Sequence, residues 1–539
     1  MLPLTRGGQL HVLGAVLALL FTMTFQAPPA SAQTQVTALH QAIAVAAAND
    51  KDVAAFYRAN GYKQIWTSKS GRDRSRRAAL LDALQRAGDH GLPVGRYKPG
   101  QLKNSMKSAR TARDFGTLEA QLSKAFLQYA RDVQTGILVP GRIDEMMARE
   151  VPYRDRTSIL TAFVKSSPRA FMRSLPPRTP EYTRLMKEKL RMERLLAKGG
   201  WGQTIPGKKL KLGQSGNAVI ILRNRLMAMG YLRRSSTKTY DANIQKAVQS
   251  FQLDHGLTAD GVAGTGTISE LNKPVEHRLK SVIVAMERER WMNRPRGKKH
   301  VLVSLTDFSV KIIQNEKATF ESRVVIGKNQ HDRRSPEFSD VMEHMVINPT
   351  WNVPRSIATK EYLPELQKNP NAVSHLRLID GRGRIVSREN IDFTQFDTKN
   401  FPFDIKQPPG RRNALGLVKF MFPNRHNVYL HDTPAKNLFS REVRAYSHGC
   451  IRVHKPFDFA YALLKAQESR PKEFFQSRLQ TGRETQVDLQ QPLPVHIIYR
   501  TAFTQPKGKI NFRRDVYGRD KQIWAHLAKQ GVALRAVRG

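Results

Sequence analysis

Apolar positions in the first third of the chain recur at helical spacing. In residues 79–84 and again through 118–133, apolar side chains return every three to four positions, which gathers them on one face of a helix. Gly91-Leu92-Pro93 and Val139-Pro140-Gly141 separate these runs with turn signals. Residues 182–196 give a further amphipathic helix, strongly basic. The pattern therefore predicts a helical scaffold domain over 33–205, and nothing in it has the composition of a catalytic site. A smaller unit follows at 206–273. Leu222, Leu226 and Met229 fall at i, i+4 and i+7, and Ile244, Val248 and Phe251 form a second stripe. Gly230 ends the first helix, Asp260-Gly261 marks a turn, and residues 265–271 supply a third short helix.

After residue 275 the period changes to two. Residues 300–305, 308–313, 321–326 and 343–347 alternate as strands do, and predict a mostly antiparallel β domain over 274–505. Strand character stops between 351 and 420. There Pro354, Pro364, Pro370, Gly381-Arg382-Gly383 and Pro408-Pro409-Gly410 punctuate a mixed helix and loop stretch. An insertion of this length, about 352–415, reads as a mobile cap over a site. Strands return at 418–422, 428–430 and 495–499. Residues 506–539 carry nine Lys/Arg against two Asp/Glu, with weak helix near 523–534, and read as a basic, solvated tail. The fold class expected is α+β multidomain: a helical scaffold, a three-helix module, and a mostly β domain with an inserted cap.

Composition adds a partner class. The 539 residues are 40% hydrophobic and 25% charged, a globular balance over several domains. Lys and Arg number 89 against 45 acidic residues, a net +44, which calls for an anionic partner: nucleic acid, acidic lipid or acidic polymer. The start of the chain narrows this. Arg6, an apolar run over 10–25 and Ala30-Ser31-Ala32 form a secretory signal over 1–32, cleaved before Gln33. The alternative, an uncleaved anchor, needs about 20 apolar residues, more than this run holds. Export leaves most nucleic acid behind, so the charge is expected to face wall or envelope polyanions in the periplasm, with no nucleic acid partner and no stable membrane anchor.

The only cysteine, Cys450, excludes an intrachain disulfide and any metal site built on two thiolates. A lone thiol in an oxidising compartment is a candidate reactive group, with an inert core cysteine as the other reading. Around it run Val428-Tyr-Leu-His431-Asp432-Thr433 and Tyr446-Ser447-His448-Gly449-Cys450-Ile451-Arg452-Val453. The thiolate is the reactive form of cysteine, so a nucleophilic Cys450 needs a base, and histidine serves near neutral pH. His448, two residues away, shares a face with Cys450 if the segment is extended. His431 ends an alternating strand that a neighbouring strand would bring alongside. Gly449 lets backbone N–H groups approach a substrate carbonyl, and Arg444 and Arg452 add positive potential. Two other readings stay open on spacing alone: a structural cysteine, and a metal site drawing on His426, His431, His448 and Cys450.

Two resemblances extend these readings. The order Leu212-Gly213, Val219, Leu222, Leu226, Gly230-Tyr231, Ala247-Val248, Phe251-Gln252, Gly256-Leu257, Asp260-Gly261 and Gly264 resembles the peptidoglycan-binding module of bacterial wall enzymes. His431 followed by Ser447-His448-Gly449-Cys450 resembles the signature of the L,D-transpeptidase (YkuD-type) catalytic domain. Residues 346–358, Gln407-Pro408-Pro409-Gly410, Asn413-Ala414-Leu415-Gly416 and residues 419–424 are similar to its large periplasmic YcbB-like branch. So are Phe56-Tyr57, Tyr62, Trp66, Gly136 and Pro140 upstream. Arg452 stands where some members have Asn.

The resemblance implies that Cys450 is the nucleophile and His431 the proton donor and acceptor. The Asp432 backbone carbonyl would orient His431, and Ser447, His448 and Gly449 would shape the oxyanion side. Trp351, Tyr446 and Arg452 become candidates for substrate contact. It further implies cross-linking of peptidoglycan stem peptides through a thioester, with release of D-alanine, without metal or cofactor, and acylation of Cys450 by carbapenems. A cysteine-dependent wall peptidase or carboxypeptidase and a non-catalytic wall-binding protein are the alternatives.

Overall fold

The computed structural model describes residues 37–536, so the expected signal segment lies outside the described residues. Helices from Ala38–Ala47 to Pro180–Ala197 pack around Trp66, Phe126, Phe163 and Leu185, each almost completely buried. The same core takes in Val275–Trp291, a helix at the start of the region expected to be β. Its Met286-Glu-Arg-Glu-Arg290 run looks solvated by composition, yet all four charged side chains are buried in ion pairs. Glu287 holds Arg290 at 2.8 Å, Glu289 holds Arg296 at 2.8 Å, and Arg288 bonds Glu337 at 2.6 Å. Among the described residues no helix is long and apolar enough to cross a membrane.

The next unit has the three expected helices, Asn217–Ala228, Ala242–Asp254 and Thr265–Asn272. Leu222, Leu226, Ile244, Val248 and Phe251 meet in its core, as their spacing requires.

Strands then build a nine-stranded sheet that closes on itself. Lys317–Gly327 pairs with Ser309–Gln314 at one side and with Ile451–Val453 at the other. Most pairs are antiparallel, but three are parallel: Lys299–Ser304 with Thr485–Ile498, Leu430–His431 with Ile451–Val453, and Ala445–Ser447 with Lys317–Gly327.

Two expectations are corrected. Strands do not stop across the insertion: Trp351–Asn352, Asp404–Gln407, Arg377–Ile379 and Ile385–Val386 form a small sheet. They are too short for alternation to register, and Leu363, Leu366, Leu378, Phe393 and Phe401 give them a core of their own. Nor is 506–536 a solvated tail. Asn511–Phe512 pairs with Ala502–Phe503, and in the helix Arg519–Lys529 both Ile523 and Leu527 enter the scaffold core. Arg519 is fully buried and bonds Glu337 at 3.1 Å, so its charge is neutralised inside the molecule.

Candidate active site

The site is built on the parallel pair of Leu430–His431 and Ile451–Val453, in register Leu430↔Ile451 and His431↔Arg452. Leu430 and Ile451 are both fully buried in the sheet's core. Because side chains alternate along a strand, Tyr429 and His431 on one side, and Cys450 and Arg452 on the other, must share the opposite face. The sheet thus brings together a histidine and a cysteine nineteen positions apart.

His431 is buried, and its Nδ1 donates to the Asp432 carbonyl. That bond leaves Nε2 as the proton acceptor. Burial, helped by the charge of Arg452, lowers its pKa to about 3, so the ring is neutral at neutral pH. The Asp432 carboxylate accepts from the Leu417 N–H at 3.0 Å and pairs with Lys436. A Cβ at Gly416, where φ is +63°, would fall inside that carboxyl group. Asn413 donates to the carbonyls of Pro349, Gln407 and Pro408, knotting three of the motif segments together.

The Cys450 sulfur is partly accessible and lies 3.5 Å from the Asn427 carbonyl. Crowding by protein pushes the thiol up to about 11; the Tyr429 backbone and hydroxyl and the Arg452 charge oppose this only in part. The thiol therefore holds its proton at neutral pH and requires a base. Tyr429, whose ring lies 5.7 Å from that of His431, is a site residue not anticipated from the sequence. Its signal was the two-residue spacing from His431 on an alternating strand.

His448 turns towards the cap: its Nε2 lies 2.7 Å from Glu361, which also pairs with Arg333 at 2.6 Å. Glu361, 87 residues upstream of His448, has no local sequence signal. It lies in a π-helical turn, Ala358–Tyr362, and such turns recur at functional positions. Gly449 has φ +115°, which no other residue adopts easily, and its carbonyl accepts from Ser335 Oγ at 2.6 Å. Ser447 is buried, and its carbonyl accepts from the Lys328 N–H at 2.8 Å. Tyr446 is exposed; Arg452 is half-buried, with its Nε unpartnered. Trp351 packs with Ile357 and Leu415 at the root of the cap, and Tyr429 lies against that cluster, so Trp351 backs the site. Among the described residues no three His, Cys, Asp or Glu side chains gather as metal ligands would.

Residues 298–476 match the L,D-transpeptidase catalytic domain, YkuD, residues 215–271 the "Putative peptidoglycan binding domain", and residues 51–188 the Scaffold domain. Most of the closed sheet, including its histidine and cysteine strands, lies within the residues that match YkuD, so the chain carries a YkuD-type L,D-transpeptidase catalytic domain. A relative from Haemophilus influenzae, named "Putative L,D-transpeptidase", is 32% identical over 245 residues. The match covers 44% of this chain and 48% of that relative, so it spans about half of each. Two solved L,D-transpeptidase structures align over 55% of the chain. That from Xylanimonas cellulosilytica is 15% identical with a TM-score of 0.17, covered in full. That from Stackebrandtia nassauensis is 14% identical with a TM-score of 0.22, 97% covered. At those scores neither bears on the details of this site.

Proposed function

We propose that this protein is a periplasmic, wall-associated L,D-transpeptidase that forms 3–3 cross-links in peptidoglycan. The observation that carries the reading is the common face shared by Tyr429, His431 and Cys450, with the free His431 nitrogen available to a protonated thiol. His431 Nε2 takes the Cys450 proton as sulfur attacks the carbonyl of the third, L-centred residue of a tetrapeptide stem. The Gly449–Cys450 backbone stabilises the oxyanion. The C–N bond breaks, the imidazolium protonates the departing D-alanine amine, and a thioester remains. The side-chain amine of a second stem gives its proton to His431 and attacks the thioester. The C–S bond breaks and the thiolate regains its proton. The peptide-bond energy is kept in the thioester, so no nucleotide is consumed. Arg452, a half-buried cation on this face, is suited to a substrate carboxylate.

The test is incubation with purified disaccharide-tetrapeptides and mass spectrometry of the products. Dimers joined between third residues, with one D-alanine released per link, are expected. Trimmed monomers without dimers would instead identify a carboxypeptidase, and retained wall binding without either product would identify a non-catalytic binding protein.

A further inference from the structure

The peptidoglycan-binding module and the catalytic domain face each other across a cleft of about 890 Å³. Its walls are fixed by the C-terminal segment. Arg513 bonds Asp307 of the catalytic domain at 2.5 Å and the Asp254 carbonyl of the module at 2.9 Å, and the Phe512 ring stacks 5.6 Å from His255. Gly256 admits this contact, since a Cβ there would meet the Arg513 side chain at 2.7 Å.

The charge inside the cleft is one-sided. Its three carboxylates are spent locally: Asp307 on Arg513, Glu442 on Arg514 at 2.6 Å, and Glu321 on Lys311 at 3.0 Å. Arg323, Arg441, Arg444 and Lys455 also line it, and among the described residues none of the four has a carboxylate partner. Burial, with a smaller push from the neighbouring Arg323 charge, pulls Arg444 down to about 10, and its guanidinium donates to the carbonyls of Val324, Arg441 and Phe308. Like charges held in one concavity repel and focus a positive potential that draws an anionic ligand. The volume suits a ligand of sugar-peptide size. Arg444 also immediately precedes the strand Ala445–Ser447 that leads to Cys450.

We infer that this cleft is a second binding site, which holds the carboxylates of an anionic wall sugar-peptide between the module and the catalytic domain. The inference rests on the peptidoglycan reading above. The site would hold a polymer strand in register with the catalytic face while its stem reacts.

The test uses the full chain with Cys450→Ala, so that binding is read without turnover. The probe is a disaccharide-tetrapeptide with free carboxylates, and the same fragment with its carboxylates amidated. Arg441→Glu with Lys455→Glu, both exposed side chains, is expected to weaken binding of the free-acid fragment about tenfold or more. Amidation should cost a similar factor in the parent and little in the charge-reversed protein. Arg441→Gln with Lys455→Gln should give an intermediate loss, and unfolding temperature and the carbapenem acylation rate in the Cys450 background should stay unchanged. Binding that is indifferent to both charge reversal and amidation overturns the inference. So does selective loss of binding to anionic phospholipid vesicles while fragment binding persists. If dimers fail to form in the parent protein yet the free-acid fragment still binds through these cations, the transpeptidase reading falls and the cleft stands.

Discussion

Tyr429, His431 and Cys450 show how far single residues can be read. The histidine and cysteine stood out by chemistry, since a lone thiol beside a base is unusual, whereas Tyr429 looked like any strand aromatic until the register was known. Two histidines were equal candidates by spacing; the structure separates them by partner, since His431 bonds its neighbour's carbonyl and His448 bonds a carboxylate on the cap. Cys450→Ala is expected to abolish both carbapenem adduct formation, read by intact mass, and cross-linking, because the chain has no second thiol. His431→Ala should slow both half-reactions by about a hundred- to ten-thousand-fold, with His448→Ala milder. The opposite ranking, with His448 essential and His431 dispensable, would reassign the base to His448. The pH dependence follows from burial. A His431 held near 3 and a Cys450 near 11 keep the neutral thiol–imidazole pair across the physiological range. The acylation rate should therefore show no inflection near 6.5, where a free imidazole titrates. The same shift has a stability consequence. On unfolding, His431 returns towards 6.5, so the unfolded chain binds a proton that the folded chain refuses. This contribution to stability is complete above 6.5 and declines as pH falls towards 3. His431→Asn should flatten that part of a melting-temperature profile.

At the scale of elements, the helical stripes of the module and the alternating strands of the sheet were legible because each buries one face, and burial imposes a period. The cap was not, because two- to four-residue strands carry no period and its core is assembled from scattered Leu and Phe. Parallel pairing of the His431 and Cys450 strands was equally hidden, since it depends on a crossover that no local residue announces. The Glu361 contacts give the cap a testable hold: its carboxylate ties His448 and Arg333 together, and Lys360 adds a pair with Asp332 at 3.3 Å. Glu361→Ala is expected to speed hydrogen exchange across 355–368 relative to the parent. The carbapenem-acylated parent should differ from the free protein in the same segment. Equal, strong protection in all three would make the insertion a rigid part of the domain. Gly416 bears on the other side of the site. Gly416→Ala forces both a left-handed backbone and the Asp432 carboxyl to move, so acylation should slow while the module's wall binding is retained.

Across the whole molecule, what the sequence concealed is charge placed inside. Met286-Glu-Arg-Glu-Arg290 and the 506–536 segment carry the composition of surface, and no pattern of polarity distinguishes a buried ion pair from a solvated one. The partners that neutralise them are distant in sequence: Glu337 receives both Arg288 and Arg519, and Asp520 receives Arg288 at 2.8 Å. These contacts join the scaffold helix, the catalytic sheet and the C-terminal helix at one point. Removing one member of such a group leaves cations uncompensated in a low-dielectric interior, which costs on the order of 3 kcal/mol. Glu337→Ala is therefore expected to lower the unfolding temperature markedly. Deleting 519–536 should do more, since it removes Arg519 and takes Ile523 and Leu527 out of the scaffold core. The peptidoglycan-binding module has its own core, and only Lys273-Pro274 connects Thr265–Asn272 to Val275–Trp291. Deleting 206–273 and joining the ends with a flexible linker should leave carbapenem acylation of Cys450 in place while reducing retention on purified sacculi. Carrying out the pull-down at low and high salt separates specific recognition from the pull of the net +44, because screening weakens only the latter strongly. Unchanged retention at physiological salt after the deletion would move wall binding from the module to the basic surface of the rest of the chain.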